Sequence, residues 1–219
     1  QLLGINTIWG WGHEKYADQL AIDQGPHLHK NYASHTRFYR NLDWDLLDPD
    51  NPVNFDAMAS GNGTEAKWWL NWNREFQSVI DADMTLSNTI KLDNFTDTQW
   101  DDPYGSAYDY AYKLAAYFGP TLGNGQIHQI EIGNEPWAYD SETYRQILRG
   151  MADGIKDADS TVKVLPCALQ AFDEQSAANT NFSNWMGDKL SEVEANLLDG
   201  LNIHTYSYAT NDQGERIGI

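Results

Sequence analysis

Ile130-Glu131-Ile132-Gly133-Asn134-Glu135-Pro136-Trp137 is the stretch on which the reading of this chain turns. An apolar strand pattern runs into a paired amide and carboxylate, and Pro136, which has no amide hydrogen to give to a ladder, stops the strand there. Such a strand presents Asn134 and Glu135 from a rigid element with a turn immediately beyond. That is the placement a side chain needs in order to protonate a leaving group. The plain alternative is a capping Asn and a solvated Glu at an ordinary strand end.

Outward from this stretch, six short apolar runs punctuate the chain: Leu2–Trp9, His35–Leu42, Met84–Asn88, Ile127–Gly133, Val162–Ala168 and Leu201–Tyr206. Helical spacing fills the gaps. Trp68, Trp72, Phe76, Val79 and Ile80 recur behind Asn62 and Glu65, placed as an N-cap and its reciprocal partner. Tyr144, Ile147, Leu148, Met151 and Ile155 follow Ser141, and Met186, Leu190, Val193 and Leu197 repeat the pattern. Further helices are expected over Ser106–Phe118 and Glu14–Asp23.

Nearly continuous apolar strands alternating with helices imply an α/β fold with a parallel sheet covered by helices. A doubly wound nucleotide-binding sheet would want a glycine-rich first turn, but Gly10-Trp11-Gly12 lacks the third glycine and holds a bulky indole. A (β/α)₈ TIM barrel wants functional groups at the carboxyl ends of several strands, and polar or aromatic residues fall at the ends of all six runs. About six of its eight βα units are visible before Ile219. Residues 1–219 are therefore expected to be one catalytic barrel domain lacking strands seven and eight, through proteolysis or trimming. The rest of the barrel would come from a following segment or a second chain, because an open remnant leaves bare sheet edges.

Composition narrows the partners. With 32 acidic against 14 basic residues the net charge is -18, which repels nucleic acid and anionic lipid. Mean hydropathy is -0.61, and no apolar run approaches the ~18 residues of a membrane span. The single Cys167 forms no intrachain disulfide and reads as a small packed hydrophobe. A start at Gln1, directly before a strand, reads as a mature or trimmed end, in keeping with a secreted or periplasmic protein. Nine Trp and twelve Tyr supply flat faces of the kind that stack on sugar rings.

Glu131-Ile132-Gly133-Asn134-Glu135-Pro136 on a fourth strand, with His204-Thr205-Tyr206 on a sixth, resembles clan A of the glycoside hydrolases, the (β/α)₈ retaining enzymes that cut glycosidic bonds with two glutamates. The resemblance implies that Glu135 is the general acid/base, with a pKa raised above the ordinary glutamate value of about 4.3. It implies that Asn134 hydrogen-bonds the sugar 2-hydroxyl. It implies that Arg37, or alternatively Arg40, holds the nucleophile ionised, and that His204 and Tyr206 line the cleft. In that clan the nucleophile is a glutamate ending the seventh strand, which this sequence does not reach. The two carboxyl groups must lie roughly 5–5.5 Å apart, so the chain by itself is expected to be inactive. Glu215 sits in the polar stretch Asp212–Arg216 and is rejected as a substitute. Glu131, one strand pitch deeper than Glu135, is expected to be a paired structural carboxylate. Trp9, Trp11, Trp44, Trp137 and Tyr208 follow strand ends and are candidate sugar platforms.

Other signals point elsewhere. His27 and His29 would face together on an extended segment, the start of a metal site. The acidic stretch Asp43–Asp50 lacks the glycine and closing glutamate of a helix–loop–helix calcium loop. No metal and no cofactor are expected. Long inserts, Asp43–Gly63 and Leu92–Tyr104, would wall an open cleft and favour endo action on a plant cell-wall or marine algal glycan. A non-catalytic carbohydrate-binding barrel and a metal-dependent barrel hydrolase stand as the alternatives.

Overall fold

Five strands, β1 (Gly4–Thr7), β2 (His35–Asn41), β3 (Thr85–Lys91), β4 (Gln129–Ile132) and β5 (Lys163–Leu165), pair in parallel and in sequence order. The computed structural model describes residues 4–7, 25–59, 72–136, 138–166, 169–170, 192–204, 208–214 and 216–218. The fifth run continues into β6 (Leu169–Gln170), which pairs in parallel with β7 (Ile203–His204). Just before β7, the Asp199 amide donates to the Val164 carbonyl at 2.9 Å, so the sixth connection already lies along β5. The helices between are α1 (Gly25–His29), α2 (Phe55–Ala59), α3 (Trp72–Asp81), α4 (Pro103–Phe118), α5 (Ser141–Ala158) and α6 (Glu192–Leu197). The chain is α/β, a partial (β/α)₈ barrel.

The six expected strands are present, with moved edges. The third extends to Lys91, which leaves Asn88 in mid-strand. α4 starts three residues before Ser106, because Asp102 accepts from the Gly105 amide at 3.0 Å and Pro103 fits the first helical turn. Asp140, not Ser141, caps α5, accepting from the Glu142 and Thr143 amides at 2.9 and 3.1 Å. The polar stretch around Asp212 is the turn of an antiparallel hairpin, β8 (Tyr208–Thr210) with β9 (Arg216–Gly218), which the sequence reading did not foresee. The Glu14–Asp23 helix, the Asn62 cap and Cys167 lie outside the described residues.

Alternation along β2 sorts side chains into two layers. Thr36, Phe38 and Arg40 are buried toward the helices, where Phe38 meets Trp72 and Phe76 of α3 edge-on. His35, Arg37 and Tyr39 take the opposite face. The register places Arg37 level with Ser87 and Gln129, and Tyr39 level with Thr89 and Glu131. The inner face is therefore polar, which corrects the expectation of nearly continuous apolar strands. The helix-facing half carries the buried apolar residues Leu86, Ile90, Ile130, Ile132 and Val164, interrupted by the buried polar Thr36, Arg40 and Asn88.

α4 and α5 pack closely because α5 carries Gly150 and Gly154 at the crossing. A Cβ at either position would sit inside van der Waals contact with a backbone carbonyl, Tyr104 for the first and Tyr108 for the second. Alanine favours a helix over glycine by about 0.8–1 kcal/mol, whereas overpacking costs about 1–3 kcal/mol, and a backbone atom cannot rotate away. Gly150→Ala and Gly154→Ala are each expected to be destabilised, by up to about 2 kcal/mol, in urea unfolding. A variant as stable as the parent would show that the helices are not this close.

Asp159 closes α5, at 3% exposure. It accepts from the Thr121 amide and hydroxyl at 2.7 and 2.9 Å and from the Thr161 amide and hydroxyl at 3.1 and 2.6 Å. Burial works against its charge, but the hydrogen bonds outweigh it and hold the carboxyl below its ordinary value of 3.8. A depressed carboxylate adds stability above the unfolded-state pKa and loses it as pH falls through the folded one. Asp159→Asn is thus expected to be less stable than the parent at pH 6, with the gap closing below pH ~3.8 in parallel thermal melts.

Candidate active site

β4 leaves the sheet through a bend that carries Asn134 and Glu135. The ladder persists to Gly133, whose amide donates to the Ile90 carbonyl at 2.8 Å, and the Tyr144 hydroxyl of α5 anchors the Ile132 carbonyl at 2.5 Å. Gly133 then adopts φ +88° and Glu135 φ +51°. Glycine takes the first without penalty, but a glutamate in the left-handed region costs on the order of 1–2 kcal/mol. Among the described residues only Asp83 shares this state without being glycine. Pro136 is buried behind the bend, while Asn134 and Glu135 are both half-buried.

Arg37 organises the floor beneath them. Its Nε donates to Glu131 Oε2 at 2.7 Å and its Nη2 to Glu131 Oε1 at 2.5 Å, a two-pronged pair. Nη2 also donates to Asn134 Oδ1 at 2.9 Å, and Nη1 to the Tyr39 hydroxyl at 2.5 Å. Thr89 adds a donor to Glu131 Oε2 at 3.0 Å. Burial opposes the arginine's charge, but the hydrogen bonds and negative charge of Glu131, aided by Tyr39, raise its pKa above the ordinary value. The expected structural role of Glu131 is what the geometry shows. Arg37 thus fixes the carbonyl end of the Asn134 side chain.

Other assignments change. Arg40, the alternative to Arg37, points into the helix-side core with no exposure, bound to Asp45 at 2.5 Å and lying 4.3 Å from the Trp72 ring centre. Even and odd positions of one strand cannot serve the same face. Trp44 is 5% exposed and stacks on Trp72 with centroids 6.1 Å apart, so it is core and no sugar platform. His27 and His29 fall on a helix, where positions two apart diverge, and they do not converge as a ligand pair. Among the described residues no group of three or more His, Cys, Asp or Glu is arranged to hold a metal ion. The acidic stretch is dispersed likewise. Asp43 accepts from Asn94 at 2.7 Å, Asp45 from Trp72 and Tyr110 at 2.9 and 2.6 Å, and Asp50 from the Asp101 amide at 2.7 Å. The His204 backbone lies on β7. Trp9, Trp11, Trp137 and Tyr206 lie outside the described residues.

The structure adds Tyr39, Thr89 and Lys91 to this rim. Lys91 pairs with Asp93 at 2.7 Å and lies 5.5 Å from the Tyr39 ring centre. Tyr39 was available from parity with Arg37. Lys91 was hidden by ending the third strand at Asn88.

Solved glycosidases share this architecture. A family 39 glycoside hydrolase from the gut symbiont Bacteroides cellulosilyticus WH2 matches with a TM-score of 0.57 at 10% identity, over 92% of this chain and 37% of that one. A family 1 β-glucosidase from Thermotoga maritima matches at 0.51 and 12% identity, over 94% and 57%. A β-glucosidase from Exiguobacterium marinum gives 0.51 and 13%, over 94% and 58%. The likeness is one of fold. The chain spans between 37% and 58% of the length of these structures. No protein-family model matches the sequence, and no curated protein does.

Removing one partner from a buried ion pair leaves the other uncompensated, at about 3–5 kcal/mol, while replacing both with apolar groups of similar volume costs far less. Glu131→Gln is expected to be destabilised in that range, and Arg37→Met with Glu131→Leu less than the single variant, both read by chemical denaturation. Equal losses would show that the pair is not coupled.

Proposed function

We propose that this chain is the catalytic-barrel part of a retaining glycoside hydrolase that cleaves β-linked polysaccharide, with Glu135 as its general acid/base. The observation that carries the reading is the end of β4: a half-buried glutamate in a costly left-handed conformation, beside an asparagine whose carbonyl an ion-paired arginine holds. Backbone strain of this kind gathers at functional sites. The fold shared with glycosidases supports the same class of chemistry.

In this reading Glu135 gives its proton to the departing glycosidic oxygen while a second carboxylate attacks the anomeric carbon. Glu135 then takes a proton from water as the glycosyl ester is hydrolysed. For the first step the carboxyl must be protonated near neutral pH, which desolvation in a filled cleft favours. The Asn134 NH₂ donates to the sugar 2-hydroxyl, an interaction that strengthens as positive charge develops. The second carboxylate must lie about 5–5.5 Å from Glu135. The inserts after β2 and β3 meet where Asp50 accepts from Asp101 and Ser106, forming a wall that suits an endo-acting enzyme on a plant cell-wall or marine algal glycan. Such substrates lie outside the cell, which fits a secreted or periplasmic protein.

The test is Glu135→Ala in the complete protein. Turnover of a natural glycan is expected to fall about 10²–10⁴-fold, with a smaller loss on aryl glycosides whose leaving group needs no proton. Added azide should restore turnover and yield a glycosyl azide of retained configuration. Parent-like hydrolysis by Glu135→Ala would reject the role, and parent-like ligand binding with no turnover by either protein would favour the non-catalytic sugar-binding barrel.

A further inference from the structure

Tyr104, Tyr108 and Tyr112 recur at four-residue spacing along α4 and form a ladder on the outside of the barrel. Successive ring centres lie 6.4 and 6.1 Å apart, and each pair of planes is within 23° of parallel. This is the rise of four helical residues, about 6 Å, so the rings repeat in register along the helix axis. Tyr104 and Tyr112 are 42% and 39% exposed. The Tyr104 hydroxyl donates to Asp153 at 2.8 Å and the Tyr108 hydroxyl to Asp157 at 2.9 Å, both on α5. Tyr104 and Tyr108 are thus tied across the two helices whose close approach Gly150 and Gly154 permit.

Fixing side chains at the surface costs rotamer freedom, which the stacking of the rings and the two bonds to α5 offset. The ordering that a ligand would otherwise have to impose is already in place. Beside the ladder runs a groove of about 500 Å³, lined by Tyr104, Tyr108, Asp109 and Lys113 of α4 and by Asn51 and Pro52 of the insert after β2. It offers aromatic surface, an acceptor, a cation and an amide within one concavity.

From these features we infer a second, non-catalytic binding site for a neutral β-linked polysaccharide, with sugar rings packed along Tyr104, Tyr108 and Tyr112 and hydroxyls bonded to Asn51, Asp109 and Lys113. The inference rests on the glycosidase reading for its ligand class. Sugar C–H faces suit tyrosine rings, while hydroxyls both give and accept hydrogen bonds and so can use a carboxylate and an ammonium together. A net charge of -18 disfavours an anionic polymer.

The test is native gel electrophoresis of the complete protein, as Glu135→Gln to prevent degradation, through gels cast with mixed-linkage β-glucan, galactomannan, xylan or polygalacturonate. At least one neutral polymer should retard it and polygalacturonate should not. Tyr104→Ala, Tyr108→Ala and Tyr112→Ala combined should weaken retention at least tenfold, and in a background with intact Glu135 should leave aryl-glycoside hydrolysis unchanged. Tyr104→Phe with Tyr108→Phe keeps the rings and removes the ties to α5, so it should retain binding. If the triple variant does not fold, Tyr112→Ala alone must weaken retention at least threefold. Parent-like retention in the triple variant, or in Tyr112→Ala where that variant decides, overturns the inference. So does retention by no neutral polymer, or a concentration-dependent dimer that the triple substitution abolishes. Retention lost with the tyrosines while Glu135→Ala leaves hydrolysis intact would keep this site and reject the catalytic reading.

Discussion

The pairing of Arg37 with Glu131 across the inside of the sheet is the constraint on which the rest of the site depends. Glu131 is 1% exposed, and a carboxylate so placed is tolerable only with a partner that meets both oxygens. Arg37 does so from β2 while Thr89 contributes from β3, so one ionic contact spans three parallel strands. Parallel pairing leaves register to be set by side chains, and a one-residue slip of β2 would exchange Arg37 for Thr36 or Phe38 on the inner face. The ion pair therefore specifies which half of β2 faces inward. The aromatic core beneath α3 specifies the other half.

That choice passes directly to the rim. Arg37 has a donor left over after satisfying Glu131, and it is spent on Asn134 Oδ1. The asparagine is thereby oriented by a group that is itself fixed, which is how a polar side chain keeps a single pose in a half-exposed position. The left-handed turns at Gly133 and Glu135 complete the arrangement by swinging the chain off the ladder within two residues. A straight continuation of β4 would have placed successive side chains on alternate faces and separated Asn134 from Glu135. The bend removes that strict alternation.

The parallel order, the helices after β2, β3 and β4 and the strand end at Asn134 were legible because each rests on local periodicity or on one proline. What sequence could not show were properties of depth. Trp44 and Arg40 follow or end strands as sugar-facing residues do, yet both enter the helix-side core, where Asp45 collects donors from Arg40, Trp72 and Tyr110. A buried aspartate with three partners on three elements leaves no periodic trace. The two histidines near position 28 misled for the opposite reason, since a five-residue helix is too short to show its period. The polar inner face of β2 to β4 was written in the alternation, but it was read as apolar because Ile and Leu occupy the helix-facing half.

The insert after β2 shows why depth matters for function. Trp44, Leu46, Val53 and Phe55 are all at most 6% exposed, and Phe55 packs on Tyr110 and Phe118 of α4 at 5.8 and 5.4 Å. Burying side chains of this size contributes about 1.5–3 kcal/mol each. Ordering the backbone of the insert opposes that gain, and Asp45 and Asp50 add polar anchors by accepting from α3, α4 and the β3 connection. The described part of the insert therefore folds with the barrel as a fixed wall. Its outer edge also borders the tyrosine groove, so the shape of that surface is set by the same core that supports the sheet.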